Sequence, residues 1–114
     1  MSNHEEWAAD TVVLDVTGKV TIGHDAQLRD AIGEASAAGA QNILLNMVGV
    51  SKLDSSGIGE LVAAHTSIRR TGGRLLLVGL PEGVARVLQI TNLLGVLELY
   101  ENLGDALETL RGDG

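Results

Sequence analysis

The residues best equipped for chemistry stand together at Lys52-Leu53-Asp54-Ser55-Ser56-Gly57-Ile58-Gly59. Two hydroxyls lie beside a carboxylate, between an apolar run and an amphipathic one. That is the pattern of a strand that ends where a helix begins. The start of a helix is rich in unpaired backbone N–H groups and accommodates added negative charge, a phosphate included. The three polar residues can therefore act as a nucleophile, as a helix cap or as the acceptor of a modifying group. A cap needs only one of them. Ser55 or Ser56 would accept from the first N–H groups while Asp54 favours the positive end, worth about 0.5–2 kcal/mol. Gly57 leaves the backbone bare beside Ser56, so that another protein's active site could approach closely.

A serine nucleophile would need a base held by an orienting acid, and the usual elbow has glycines two residues either side of the serine. Ser55 is flanked by Leu53 and Gly57, and Ser56 by Asp54 and Ile58, so the elbow is absent. His65 falls on an apolar stripe two turns further down the helix and reads as a core or edge residue. His4 lies near the N-terminus and His24 at the start of the first helix. The chain is read as a non-enzyme. Gly57-Ile58-Gly59 begins a dinucleotide fingerprint, but Val62 holds the third glycine position, and no Gly-Lys-Ser/Thr loop exists. No His or carboxylate pair has a metal-ligand spacing, so neither cofactor nor metal is expected. Arg69-Arg70 with Arg74 reads as a solvated helix end favoured by the helix dipole.

The elements that must position the loop follow from periodicity. Thr11 to Thr17 alternates, with Val12, Leu14 and Val16 on one face, as in a half-buried strand. Gly18 punctuates it, and Lys19 to Ile22 is expected to return as a short hairpin partner. Asp25 caps a helix carrying Leu28, Ala31, Ile32 and Ala35, which Gly39 ends. Ile43 to Val48 is almost continuously apolar, as a central strand covered on both faces should be. A loop is expected over residues 49–56. The next helix has Ile58, Leu61, Val62, His65 and Ile68 on its stripe and closes at Gly72-Gly73. Leu75 to Val78 is a second buried strand. Pro81 suits the first turn of a helix with Val84, Val87 and Leu88 inward. Val96 to Tyr100 reads as a strand, and Asn102 caps a last helix with Leu103, Ala106, Leu107 and Leu110 inward. The order gives an α/β domain with a mixed sheet of four to five strands and about four helices, its residues 43–78 forming a parallel crossover. Ligands of such sheets gather beyond the carboxyl ends of the strands, where Asp54 to Gly57 falls.

Composition narrows the function. A chain of 114 residues makes one domain, 1–114, with residues 1–9 partly disordered or a short edge strand and 112–114 frayed. It has 45% hydrophobic residues, almost all aliphatic, with one Trp, one Tyr and no Phe. Aromatic stacking platforms for single-stranded nucleic acid are therefore missing. A formal charge of −7 repels nucleic acid and anionic membranes alike and suits a basic protein surface. The absence of cysteine fits a reducing compartment. Residues 1–6 lack the apolar core of a signal peptide, and no apolar run approaches the roughly 20 residues that span a bilayer. A soluble, cytoplasmic protein is expected.

With Ile43 to Met47, Leu53 to Gly59, Gly72-Gly73-Arg74-Leu75 and Val87 to Leu93 taken together, the chain resembles a STAS domain along nearly its whole length. This is the family of bacterial anti-sigma factor antagonists and sulfate-transporter tails. The resemblance implies partner switching. The unphosphorylated antagonist binds an anti-sigma factor, itself a serine kinase of the histidine-kinase-like ATPase class, and so releases a sigma factor. The kinase phosphorylates the serine before the motif glycine, here Ser56 rather than Ser55, and a serine phosphatase resets the cycle. Asp54, Ser55, Gly57 and Ile58 would shape the docking surface. The resemblance equally allows a scaffolding subunit, of stressosome type or accessory to a lipid-transport ABC system. One departure stands out. Many antagonists carry a Gly-x-Leu-Asp run after the first turn, whereas Gly18-Lys19-Val20-Thr21-Ile22-Gly23 has no acid before Asp25.

Overall fold

The computed structural model describes residues 4–8, 10–21, 23, 26–90 and 97–113. In chain order they form β1 (His4–Ala8), β2 (Thr11–Val20), α1 (Ala26–Ala37), β3 (Asn42–Leu53), α2 (Ser55–Arg70), β4 (Arg74–Val78), α3 (Glu82–Ile90), β5 (Glu98–Tyr100) and α4 (Leu103–Asp113). The strands lie in one sheet in the order β1-β2-β3-β4-β5. β1 is antiparallel to β2, and the pairs β2–β3, β3–β4 and β4–β5 are parallel. The expected mixed α/β sheet with four helices is present, the last of them α4, Leu103–Asp113.

Two expectations change. Lys19 does not begin a returning strand. Instead β2 runs straight through Gly18 to Val20, and its antiparallel neighbour is β1, upstream of it. Gly18 permits this with a positive φ of 80° at a slip in the β2–β3 register between Gly18 and Lys19. Nor is there a loop from 49 to 56, because β3 continues to Leu53 and only Asp54 separates it from α2. β4 leaves β3 after the Asn46–Val78 pair, whereas β2 stays with it as far as Val20–Leu53. A two-stranded arm thus projects beyond the sheet. Where β4 departs, the Asn46 side chain steps in, its Oδ1 accepting from the Val48 N–H at 3.3 Å and its Nδ2 donating to Asp15 at 3.0 Å.

The sheet is clothed unevenly. Val12, Leu14, Val16, Val20, Ile43, Leu45, Met47, Leu75 and Leu77 meet Leu28, Ile32, Leu61, Ile68, Val84 and Leu88 from α1, α2 and α3 in one large core. The other face packs Val13, Leu44, Leu76 and Val78 against Ala106 and the flanking leucines of α4 alone. Leu44 and Leu76 are fully buried, as the continuous apolar runs require. Asp25, His24 and the segment Thr91 to Val96 lie outside the described residues, so the first helix's cap and the first residue expected of the last strand do too.

Candidate functional site: the start of α2

Residues 53–58 turn sharply from strand to helix, and three contacts fix the turn. Asp54 is extended (φ −120°, ψ −174°) and takes the N-cap position. Its carboxylate Oδ1 accepts from the N–H groups of Ser56 at 3.0 Å and Gly57 at 3.1 Å. Its own N–H donates to the Val20 carbonyl at 3.4 Å, which ties the turn to the end of β2. The cap is therefore the carboxylate of Asp54 and not a serine hydroxyl, which removes the alternative that Ser55 or Ser56 is present merely as the cap. An anionic cap gains from the helix dipole as well as from its two hydrogen bonds.

Gly57 is buried, and the reason for a glycine there is internal. A Cβ on Gly57 would lie 2.1 Å from the Val20 carbonyl oxygen and 2.7 Å from Leu53 Cδ1. The bare backbone expected to face a visiting protein instead faces β2, and it lets the first turn of α2 sit directly on the strand ends. Ser55 is exposed, while Ser56 and Ile58 are half-buried. Asp54, Ser55 and Ser56 stand together at the start of α2, whereas Ile58 packs in part against the main core and Gly57 lies buried beneath the turn.

The described residues place His65 far from the serines. His65 is nine residues beyond Ser56 on the same helix, about 14 Å along its axis, far outside hydrogen-bond reach. The His65 Nδ1 is buried and has no hydrogen-bond partner among the described residues, so no carboxylate orients the ring through that nitrogen. The Gly57-Ile58-Gly59 stretch lies inside the first turn of α2, not in a loop that could wrap a pyrophosphate. Among the described residues no cluster of His, Asp and Glu could hold a metal ion, and no helix is long and apolar enough to cross a membrane. A cleft of about 730 Å³ opens elsewhere, between α1 and α2, over Ile32, Ala64 and Ile68, with Arg29 and Glu60 at its rim.

The arginine cluster separates on inspection. Arg69 and Arg70 are exposed at the end of α2, as expected of a solvated helix end. Arg74 opens β4 and grips the Glu98 carboxylate of β5 with two hydrogen bonds, one of 3.0 Å from Nε and one from NH2. Those bonds, with help from the Tyr100 hydroxyl, hold the Glu98 carboxyl below its usual value of 4.5 against the opposing effect of burial. Periodicity places Arg74 at a strand start but is blind to a partner 24 residues away.

Comparison with known proteins identifies the architecture. The STAS domain profile matches residues 6–106. The chain belongs to the STAS domain family. It is 38% identical over 74 residues to a Thermotoga neapolitana protein named as an anti-sigma factor antagonist, covering 65% of this chain. The chain spans about two-thirds of that relative's length (66%). It is 25% identical over 101 residues, and 89% of each chain, to the anti-sigma-B factor antagonist of Listeria monocytogenes. The solved structure of the anti-sigma factor antagonist SpoIIAA in its unphosphorylated form superposes with a TM-score of 0.81 at 25% identity, covering 98% of this chain and 97% of that one. The phosphorylated form of the Bacillus protein shares the fold, with a TM-score of 0.73 at 22% identity, covering 96% of this STAS domain and 99% of that chain. Counted along the family's Gly-x-Leu-Asp run, the place of the acid is held in this STAS domain by Thr21, which is buried.

Proposed function

We propose that this STAS domain is an anti-sigma factor antagonist of a partner-switching pathway, with Ser56 as its phosphoacceptor. In this reading the unphosphorylated form binds an anti-sigma factor that is also a serine kinase of the histidine-kinase-like ATPase class. Binding frees a sigma factor, phosphorylation of Ser56 ends the binding, and a serine phosphatase restores it, all in the cytoplasm. The observation that carries the reading is the cap. Asp54 supplies the two hydrogen bonds that hold the first turn, so the fold does not need a serine hydroxyl for that purpose. A phosphate there would add about −1.5 to −2 charges at the positive end of a 16-residue helix, a position that favours it. A partner surface fitted to a neutral hydroxyl would instead have to desolvate an uncompensated charge. Release without unfolding follows.

The test is direct. The purified protein is incubated with a cognate histidine-kinase-like ATPase and ATP, and the product is mapped by mass spectrometry. One phosphate on Ser56, none on Ser56→Ala, and loss of kinase binding by Ser56→Asp are expected. Modification confined to another residue, or kinase binding by Ser56→Asp as tight as wild type, refutes the assignment.

A further inference from the structure

The cleft between α1 and α2 measures about 730 Å³, within the roughly 300–1,000 Å³ of small-molecule sites. Both helices are crossovers between parallel strands on the same face of the sheet, so they run in the same direction. Arg29, in the first turn of α1, meets Glu60, in the second turn of α2, at 3.4 Å across the mouth of the cleft. Seven residues further along each helix, about 10 Å from the ion pair, the exposed Ser36 and Ser67 line the same space. Two walls with polar rims thus run side by side, and between them lies an aliphatic floor of Ile32, Ala64 and Ile68.

The sequence keeps the cleft open at a cost to α1. Gly33 stands in the middle of that helix, where glycine is less stable than alanine. Its φ is not positive, and a Cβ on it would meet no atom within 4 Å. The fold demands a bare backbone at Gly57 and Gly73; at Gly33 it does not. The space that a side chain there would occupy is the cleft, which Gly33 lines.

The lining selects the chemistry of an occupant. It contains no aromatic ring on which a base or sugar could stack. The aliphatic floor suits an aliphatic chain, and the wall from Glu60 to Thr71 is about 16 Å long, room for that chain to lie extended. Charge is confined to one end. The 3.4 Å contact of Arg29 with Glu60 is longer than a tight charge-assisted bond, and the Arg29 side chain is 62% exposed. Its guanidinium keeps N–H donors in a fork that fits a carboxylate. The N-terminal ends of both helices lie at that same end, and they favour an anion too.

We propose that the α1–α2 cleft is a binding site for a small amphiphilic acid, its aliphatic chain on Ile32, Ala64 and Ile68 and its carboxylate on Arg29. The hydroxyls of Ser36 and Ser67 offer further hydrogen bonds along the walls. The site requires nothing of Ser56, and a ligand there would be recognised whether or not the serine is phosphorylated.

The experiment titrates the intact ¹⁵N-labelled protein with sodium decanoate, well below the concentration at which it forms micelles. Amide shifts are expected along Arg29 to Ser36 and Glu60 to Thr71. Octanoate should bind about five- to tenfold more weakly, since it buries two methylenes fewer, and acetate should not bind. Gly33→Leu and, from the facing wall, Ser67→Leu fill the cleft from exposed positions and should each weaken decanoate at least tenfold, their fold being checked in the same spectra. Arg29→Gln should weaken decanoate about threefold to fivefold, the scale of a partly exposed ion pair. Shifts mapping elsewhere, or unchanged affinity in both filled variants, would overturn the proposal. So would decyltrimethylammonium binding as tightly as decanoate. A dimer of the free protein that Gly33→Leu dissolves would assign the cleft to a second copy of the chain instead.

Discussion

The two ends of α2 solve one problem by different means. At both, a buried glycine lets the helix press on backbone: Gly57 against the Val20 carbonyl, and Gly73 against that of Gln41, where a Cβ would lie at 1.9 Å. At the C-terminal end the last carbonyls are met by backbone. Gly72 N–H donates to Arg69 at 3.1 Å and Gly73 N–H to Ile68 at 3.0 Å, with Gly72 at φ 86°. That is the Schellman pattern. The Thr71 hydroxyl adds a bond to Ile68 at 2.9 Å, and Arg74 bolts the following strand to β5. At the N-terminal end a single side chain, Asp54, supplies the cap. One end is built of main chain and resists substitution of its neighbours; the other depends on side-chain chemistry and can be modified. The end that depends on side chains is the one expected to meet a partner.

This contrast can be broken at its strongest point first. Gly73→Ala should cost about 3 kcal/mol in urea unfolding, because a backbone oxygen cannot swing aside as a side chain can. Gly57→Ala should cost about 2 kcal/mol, since the better helix propensity of alanine offsets part of the clash. Equal stability of Gly57→Ala and wild type would show that the first turn of α2 is not pinned to β2. Asp54→Ala should lose about 1 kcal/mol and also weaken partner binding, whereas a cap lost at the other end should leave binding unchanged.

Glu98→Gln sharpens the comparison through pH. The folded carboxyl titrates below its usual value of 4.5, so its contribution is present above that value and is lost as pH falls through the lowered one. In chemical denaturation, Glu98→Gln should be about 1 kcal/mol less stable at neutral pH, the pair being partly exposed to solvent. The difference should vanish in strong acid, and one that persists there would assign the loss to packing. Last, Ser56→Ala should change stability by no more than about 0.5 kcal/mol, since Asp54 holds the turn. A larger loss would make Ser56 part of the scaffold.

Much of the architecture was legible wherever a segment was buried on one periodic face. The stripe of Leu61 and Ile68, the run Ile43 to Met47 and the inward Val84 and Leu88 all gave correct elements. What escaped was decided by pairing between distant segments. Residues 49–53 of β3 read as loop because Gly49, Ser51 and Lys52 interrupt the apolar run, yet β2 pairs with them across the arm. β1 was obscure because its partnership with β2 depends on a turn at Asp10 and not on the pattern of its own five residues. At the site the motif was visible but its division of labour was not. Three adjacent polar residues can each cap a helix, and only the extended backbone of Asp54 selects one.

The contact of Gly57 with the end of β2 also bears on timing. A turn seated on a strand without an intervening side chain has no second position to occupy, so a phosphate on Ser56 would be read as charge and not as a change of shape. Such a signal involves no conformational transition within the domain. Its rate would be that of the enzymes that add and remove the phosphate.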